Sequence, residues 1–589
     1  MALRVTVLVN ADIRTMDRKR PRAEAVSFAR GRILEAGKQS AVLAKAGNNA
    51  RVLDAGGRVV LPGFIDCHTH FLSLGVWSNR LDLSATRNLS DLLDAVKNRA
   101  TGDAPHLSAG NVTPTKREAS PFMAGSVKRR GAEAKRRARG LTGSGPPHHL
   151  HATIAKRQTA SMQLVREECG WQGKTKAPWI LGRGWDEAKW PEARYLTRKD
   201  LDAVSPKNPV MLIRVCGHLA TLNSKGLEAL GKVIGKKDVA RSTGIIRERA
   251  LELARYHLRP SMDEMMAGLS YSLDMGRRLG VTSVHDIIDR SKLAAYEAAH
   301  REGLLTVRAT LHFEEPDFNA LLKNGIHSGQ GGPMIRIGGM KLYADGSFGA
   351  RTAALREPYA DAPKERGALL VSDAQLRAAI RDAEQGDFQL LIHAIGDRAA
   401  RQVVSAFSST LKGPSLLRHR IEHLELPGRP ELQKMRRLGL WASMQPNFVG
   451  EWGQSGGMME ARLGKRRLKR ADAFKAVLKA RVPLVFGSDC MPLNPLYGIH
   501  SAVNAPFPDQ RLTVGEAVAA FTRDAAASSY EEGFKGTLAP GTAADLVMLS
   551  EDPFKNQRRI KGIRVEATFF DGRLVWKGRA LPLTASGRS

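Results

Sequence analysis

Two histidines two residues apart open the chemistry of this chain. In Leu61-Pro62-Gly63-Phe64-Ile65-Asp66-Cys67-His68-Thr69-His70 an apolar run ends in His68 and His70. Alternate residues of a strand share a face, so both imidazoles face one way at the strand's C-terminal end. Two such nitrogens can hold one metal ion. His-x-His alone is a weak signal, and the alternative is a pair of surface or hydrogen-bonded histidines. Further residues of ligand type recur downstream: Lys341 in Lys341-Leu342-Tyr343-Ala344-Asp345-Gly346, His393 after Leu390-Leu391-Ile392, His423 in His419-Arg420-Ile421-Glu422-His423, and Asp489 after Phe486-Gly487-Ser488. Each closes or follows an apolar stretch.

Those stretches define the elements that must position them. Strands are expected at Phe64 to His70, Thr282 to Asp286, Val307 to Phe313, Ile335 to Asp345, Leu390 to His393, His419 to His423, Leu440 to Met444 and Pro483 to Asp489. Helical stretches separate most of them, which predicts a parallel α/β fold. Eight strands is the number that closes a (β/α)8 TIM-like barrel, whose active sites lie at the C-terminal ends of its strands. The ligand-type residues fall there, on strands one, four, five, six and eight. Two more strand candidates, Trp179 to Gly182 and Val210 to Ile213, lie in an expected inserted subdomain over 72–265.

The expected chemistry is hydrolytic. His68 with His70 can hold one ion and His393 with His423 a second. Asp489 can ligate and can carry a proton. A divalent ion lowers the pKa of bound water to about 7, and a neighbouring ion polarises a carbonyl. Metal-bound hydroxide then attacks an amide-like bond, and Asp489 shuttles the proton to the leaving nitrogen. Zinc suits imidazole and carboxylate ligands, as do iron, manganese and cobalt. Lys341 reads two ways: an ammonium paired with Asp345, or a buried neutral amine that reacts with carbon dioxide to give a bridging carbamate.

Composition sets outer limits. The chain has 589 residues, enough for a large core. It has no apolar run long enough to span a membrane and no signal-peptide-like apolar start. Four scattered cysteines form no CxxC pair, which predicts a reducing, cytoplasmic setting. The formal net charge is +32 and the pI about 10.3. Such a field suits nucleic acid or anionic partners as well as plain solubility. Basic runs mark the segment over about 103–176, with Lys128-Arg129-Arg130 and Lys135-Arg136-Arg137-Ala138-Arg139, expected to be a mobile loop. His148, His149 and His151 lie there with nothing near to complete a site. Both chain ends read as short strands and are expected to pair into one small β domain.

In these motifs the chain resembles the amidohydrolase superfamily, in its N-substituted formamide deformylase-like (YtcJ-like) branch. The stretches that carry the resemblance are Leu61 to His70, Ile180 to Glu187 (ILGRGWDE), Lys341 to Ala353 (KLYADGSFGARTA), Ile392 to Asp397 (IHAIGD), His419 to His423 (HRIEH), Phe486 to Asp489 (FGSD) and Lys535 to Asp545 (KGTLAPGTAAD). The resemblance implies a metal-bearing barrel over 62–536 beside a composite β-sandwich over 1–61 plus 537–580. It implies His68, His70, His393, His423 and Asp489 as ligands of two ions, with Lys341 as the carboxylated bridging lysine. The segment 103–176 departs from it, being longer and more basic than the link of similar proteins.

Weaker candidates for substrate contact are Trp185, Asp186, His218, Asp345 and Arg351. The blander roles are packing and helix capping for Trp185 and Asp186, and loop ordering for Asp345 and Arg351. His285 is expected in the core, and His419 is expected to share a strand face with His423 in a structural role. The function expected is hydrolysis of a non-peptide C–N bond, such as that of an N-acyl or N-formyl amine. The alternatives are esters, cyclic amides or amidines at the same site, or nucleic-acid binding by the basic insert over an inactive barrel. The partner expected is a small-molecule substrate, with a homodimer permitted.

Overall fold

The structure is a computed structural model that describes residues 5–78, 80–101, 178–187, 190–215, 219–236 and 238–578. The basic segment and its histidines lie outside the described residues, as does His218. The chain forms two compact units, one running to Trp77 and resuming at Pro260, the other Ser78–Arg259.

The first unit is built on an eight-stranded parallel sheet whose spatial order follows the chain. Its strands are β1 (Phe64–Thr69), β2 (Val281–Ile288), β3 (Arg308–Glu314), β4 (Ile335–Tyr343), β5 (Gln389–Ala394), β6 (Arg420–His423), β7 (Trp441–Met444) and β8 (Leu484–Phe486). Every residue of β1, β2 and β5 is buried, as expected where helices cover one face and a barrel interior the other. Asp489 N donates to His68 O at 2.8 Å and Ser488 N to Asp66 Oδ1 at 2.9 Å, which brings β8 against β1 and nearly closes the barrel. Gly487 is needed there, because a Cβ on it would stand 2.3 Å from His68 N. The helix Met262–Arg278 before β2 starts at a capping box in which Ser261 and Glu264 satisfy each other's backbone amides.

Two further sheets belong to this unit. Arg32–Gly37, Ala25–Ala29, Thr6–Val9 and Arg51–Asp54 form one. The other joins C-terminal strands Arg573–Lys577, Val565–Phe570 and Leu546–Leu549 to N-terminal strands Val59–Pro62, Asp12–Arg14 and Arg22–Ala23. Leu8, Phe28 and Leu53 from the first sheet share a core with Ile13, Val60, Met548 and Phe569 from the second. Asp571 and Gly572 are both left-handed, the backbone a two-residue hairpin needs.

The second unit holds a six-stranded mixed sheet of Val239–Ala240, Ile245–Arg247, Leu219–Leu222, Val210–Arg214, Ile180–Trp185 and Leu81–Asp82. Its core includes Leu83, Leu92, Trp185, Trp190, Leu201 and Leu212. No helix among the described residues is long and apolar enough to cross a membrane.

Candidate metal centre

The C-terminal strand ends of the barrel gather six side chains. His68 is in β1 and His70 just beyond it, Lys341 is near the end of β4, His393 near the end of β5, His423 at the end of β6, and Asp489 just past β8. Ligand atoms of His68, His70 and Asp489 lie within 4.8 Å of one another. His70 Nε2 is 3.4 Å and His68 Nε2 3.8 Å from Asp489 Oδ1. The His423 ring centroid is 4.8 Å from that of His68 and 4.4 Å from that of His393.

The backbone is bent to achieve this. His423, Leu424, Asp489 and Cys490 all have positive φ, at 67°, 47°, 51° and 59°. Such conformations are unfavourable for residues with a Cβ and persist only where the surroundings hold them. At Asp489 the bond to His68 O does so. At His423 the left-handed turn breaks the alternation of β6, so that Glu422 and His423 both reach the barrel interior. His419 therefore does not share a face with His423. It packs on Phe407, with ring centroids 5.2 Å apart, and contacts Glu384 Oε1 at 2.8 Å on the covering helix Asp373–Gln385.

Electrostatics keep the nitrogens available. Burial holds His68 and His423 well below the ordinary imidazole value, with neighbouring histidines and Lys341 adding to the effect. Burial and the Lys341 charge bring His393 down to about 3. Burial lowers Lys341 to about 8 against the opposing pull of Glu422 and Asp489. Asp489 is raised to about 7 by burial, with Lys341 opposing. Neutral imidazoles and an easily neutralised amine are the states a metal ligand or a carbamate requires. His423 Nδ1 is buried without a hydrogen-bond partner among the described residues, the kind of orphaned atom that ion binding explains. The donor set therefore fits a divalent metal.

Glu422 and Arg420 complete the site, and the sequence reading did not single them out. His68 Nδ1 is 2.5 Å from Glu422 Oε2. The imidazole N–H is thereby committed to the carboxylate, and the Nε2 lone pair faces Asp489. Arg420, fully buried, donates from Nε to Glu422 Oε1 at 2.7 Å, and from its Nη atoms to Cys67 O, Ser443 Oγ and His285 Nδ1 at 2.6, 2.9 and 2.9 Å. One guanidinium thus ties β6 to β1, β2 and β7. The available signal was a charge pair two residues apart on a strand buried on both faces, where unpaired charges are not tolerated.

The weaker candidates are spread out. Asp345 is buried and accepts from Ala354 N, Ile395 N and Gly396 N at 2.8, 3.0 and 2.8 Å, which fixes the loop after β4. Its Oδ1 also lies 3.6 Å from His393 Nε2, which contacts Gly346 O at 3.0 Å. Arg351 pairs with Asp361 at 3.0 Å. In the other unit, Trp185 is fully buried, with Nε1 donating to Leu212 O at 3.0 Å. Asp186 lies 3.5 Å from Arg214 Nη2.

Comparison with known proteins agrees with this architecture. A model of the amidohydrolase family matches residues 51–124 and 148–576, and the chain belongs to that family. The unmatched stretch falls inside the basic segment. The chain is 28% identical to YtcJ of Bacillus subtilis (strain 168), named as an amidohydrolase, over 96% of this chain and 98% of that one. It is 23% identical to the N-substituted formamide deformylase of Arthrobacter pascens, over 98% of this chain and 99% of the other. The solved structure of an uncharacterized metal-dependent hydrolase from Pyrococcus furiosus is 26% identical, with a TM-score of 0.69 over 94% of this chain and 100% of that one. The chain is accordingly a hydrolase.

Proposed function

We propose that this amidohydrolase cleaves a non-peptide C–N bond, such as that of an N-acyl or N-formyl amine, using two divalent ions, zinc first among them. The observation that carries the reading is the cluster of His68, His70 and Asp489, with ligand atoms within 4.8 Å of one another at the barrel mouth. The deformylase relative favours an N-formyl or similar amide over an ester or amidine.

In the reading proposed here, His68, His70, His393, His423 and Asp489 would hold the ions, together with Lys341 as its carbamate. The carbamate forms when the neutral Lys341 amine attacks carbon dioxide and loses a proton. Its lowered pKa makes that amine accessible near neutral pH. Bound ions supply an activated water and polarise the scissile carbonyl. Asp489 would take the water's proton and return it to the leaving nitrogen. Glu422 keeps His68 in the tautomer that ligates through Nε2.

The test is elemental analysis of protein grown with added zinc, wild type beside Lys341→Ala, with a hydrolysis screen of N-formyl and N-acyl amines. About two ions per chain are expected, falling sharply in the variant and with it the hydrolysis. One ion in both proteins would remove the bridge. No ion in folded wild type would remove the hydrolytic reading.

A further inference from the structure

Glu314 ends β3 and has little structural employment. It precedes the short 3-10 turn Glu315–Asp317, yet its side chain makes no cap hydrogen bond. Among the described residues its hydrogen-bond partner is the Tyr343 hydroxyl, 3.5 Å from Oε1, and no Lys or Arg stands within ion-pair distance of it. Elsewhere in this barrel a part-buried carboxylate finds a cation, as Asp317 finds Arg290 at 2.6 Å.

Its position is beside the candidate centre. Glu314 lies in register with Lys341 on the neighbouring strand. His312, two residues earlier on the same face, points inward, its ring centroid 5.5 Å from that of His285, which meets the buried Arg420. Glu314 therefore faces the barrel interior, one layer nearer the C-terminal mouth. Tyr343, two residues beyond Lys341, sits over the same ground: its ring centroid is 4.9 Å from Lys341 Nζ and 5.5 Å from the His393 ring. Tyr343 is 38% exposed, so the pair borders open space. The phenol donates to Oε1 and cannot neutralise the carboxylate, and Oε2 remains as an acceptor. Lys341 acts on this carboxylate through space without reaching ion-pair distance, so a cation of the ligand would be its first direct charge partner.

We infer that Glu314, oriented by Tyr343, is a specificity-determining residue that receives a protonated nitrogen of the substrate, so that N-acyl amines carrying an ammonium or guanidinium group are preferred. The inference rests on the hydrolase reading for its reaction and on Glu314 alone for its selectivity. The net charge of +32 does not oppose it, because exposed charges beyond about 8–10 Å are screened at physiological ionic strength, whereas Glu314 acts at contact.

Two isosteric probes test it, N-formyl-1,4-diaminobutane and the neutral N-formylpentylamine, on the zinc-loaded full chain at pH 7. Wild type is expected to favour the cationic probe by about tenfold or more in kcat/KM, the weight of one charge-assisted hydrogen bond. In Glu314→Gln the ratio is expected to fall to near one with metal content retained. A wild-type ratio near one, or one that the substitution leaves in place, overturns the inference while the hydrolase reading stands. If neither probe is cleaved, calorimetric binding of the same two compounds decides. Tighter binding of the cationic probe by wild type and not by Glu314→Gln supports the inference while the N-formyl amine reading falls. Equal binding, or none, overturns it.

Discussion

At the scale of the residue, the centre depends on groups that do not themselves ligate. Glu422 fixes the His68 tautomer and is itself held by Arg420. Outer carboxylates of this kind typically change metal affinity by about 10–100-fold when removed. Glu422→Gln is expected to weaken zinc binding within that range, read by competition against a chelator. It also strips Arg420 of its buried counter-charge, so a second variant is needed. His285→Phe removes one hydrogen bond from Arg420 and leaves the His68–Glu422 contact in place. It is expected to bind zinc nearly as wild type. Equal weakening in both variants would mean that barrel packing, and not the tautomer, sets affinity. The strand-end positions of His68, His70, His393, His423, Asp489 and Lys341, the proposed ligands, were legible in the sequence because each closes or follows an apolar run. Glu422 was not, because the left-handed backbone at His423 breaks the alternation from which faces are inferred.

At the scale of the element, strand existence was legible and strand ends were not. The eighth strand was expected to run to Asp489, yet β8 ends at Phe486, and the residues after it turn to bond with β1. The sheet of the second unit was only partly foreseen. Ile180–Trp185 and Val210–Arg214 carry apolar runs, whereas Leu81–Asp82 and Val239–Ala240 are two residues long and show no periodicity. Local capping was within reach of sequence. Thr197 and Asp200 form a capping box on the helix Arg198–Val204. Burial would raise Asp200, but hydrogen bonds from Arg194 and Thr197 outweigh it and bring the carboxyl to about 2. A depressed carboxylate stabilises the fold above its ordinary value near 3.9, and the contribution is lost as pH falls toward about 2. Carboxyl-detected NMR titration is expected to place the Asp200 midpoint near 2, and Arg194→Ala to move it up toward 4. A midpoint indifferent to that substitution would assign the shift to the cap alone.

At the scale of the molecule, one buried arginine joins the barrel to the sheet built from both chain ends. Arg308, on β3 and 3% exposed, pairs with Asp545 at 2.8 Å and with Asp571 at 3.0 Å, between the rings of Phe534 and Phe570. Asp545 also accepts from Asp571 N at 2.8 Å, so the arginine anchors the hairpin turn as well. Removing one partner of a buried pair leaves an uncompensated charge. Arg308→Met is expected to cost about 3–5 kcal/mol of stability, measured by denaturant unfolding. A loss below about 1 kcal/mol would show that Asp545 is satisfied without it.

The sequence by itself determined the parallel barrel and the strand ends that bear ligand-type residues. Each follows from local pattern: apolar runs, their spacing, and histidine, lysine and aspartate at their ends. Only the tertiary structure decided which charges answer one another. Arg420 reaches Glu422, Cys67, His285 and Ser443, and Glu314 stands beside Lys341 without forming an ion pair among the described residues. Such pairings depend on register and on φ at single residues, and these are set when strands far apart in the chain close on one another.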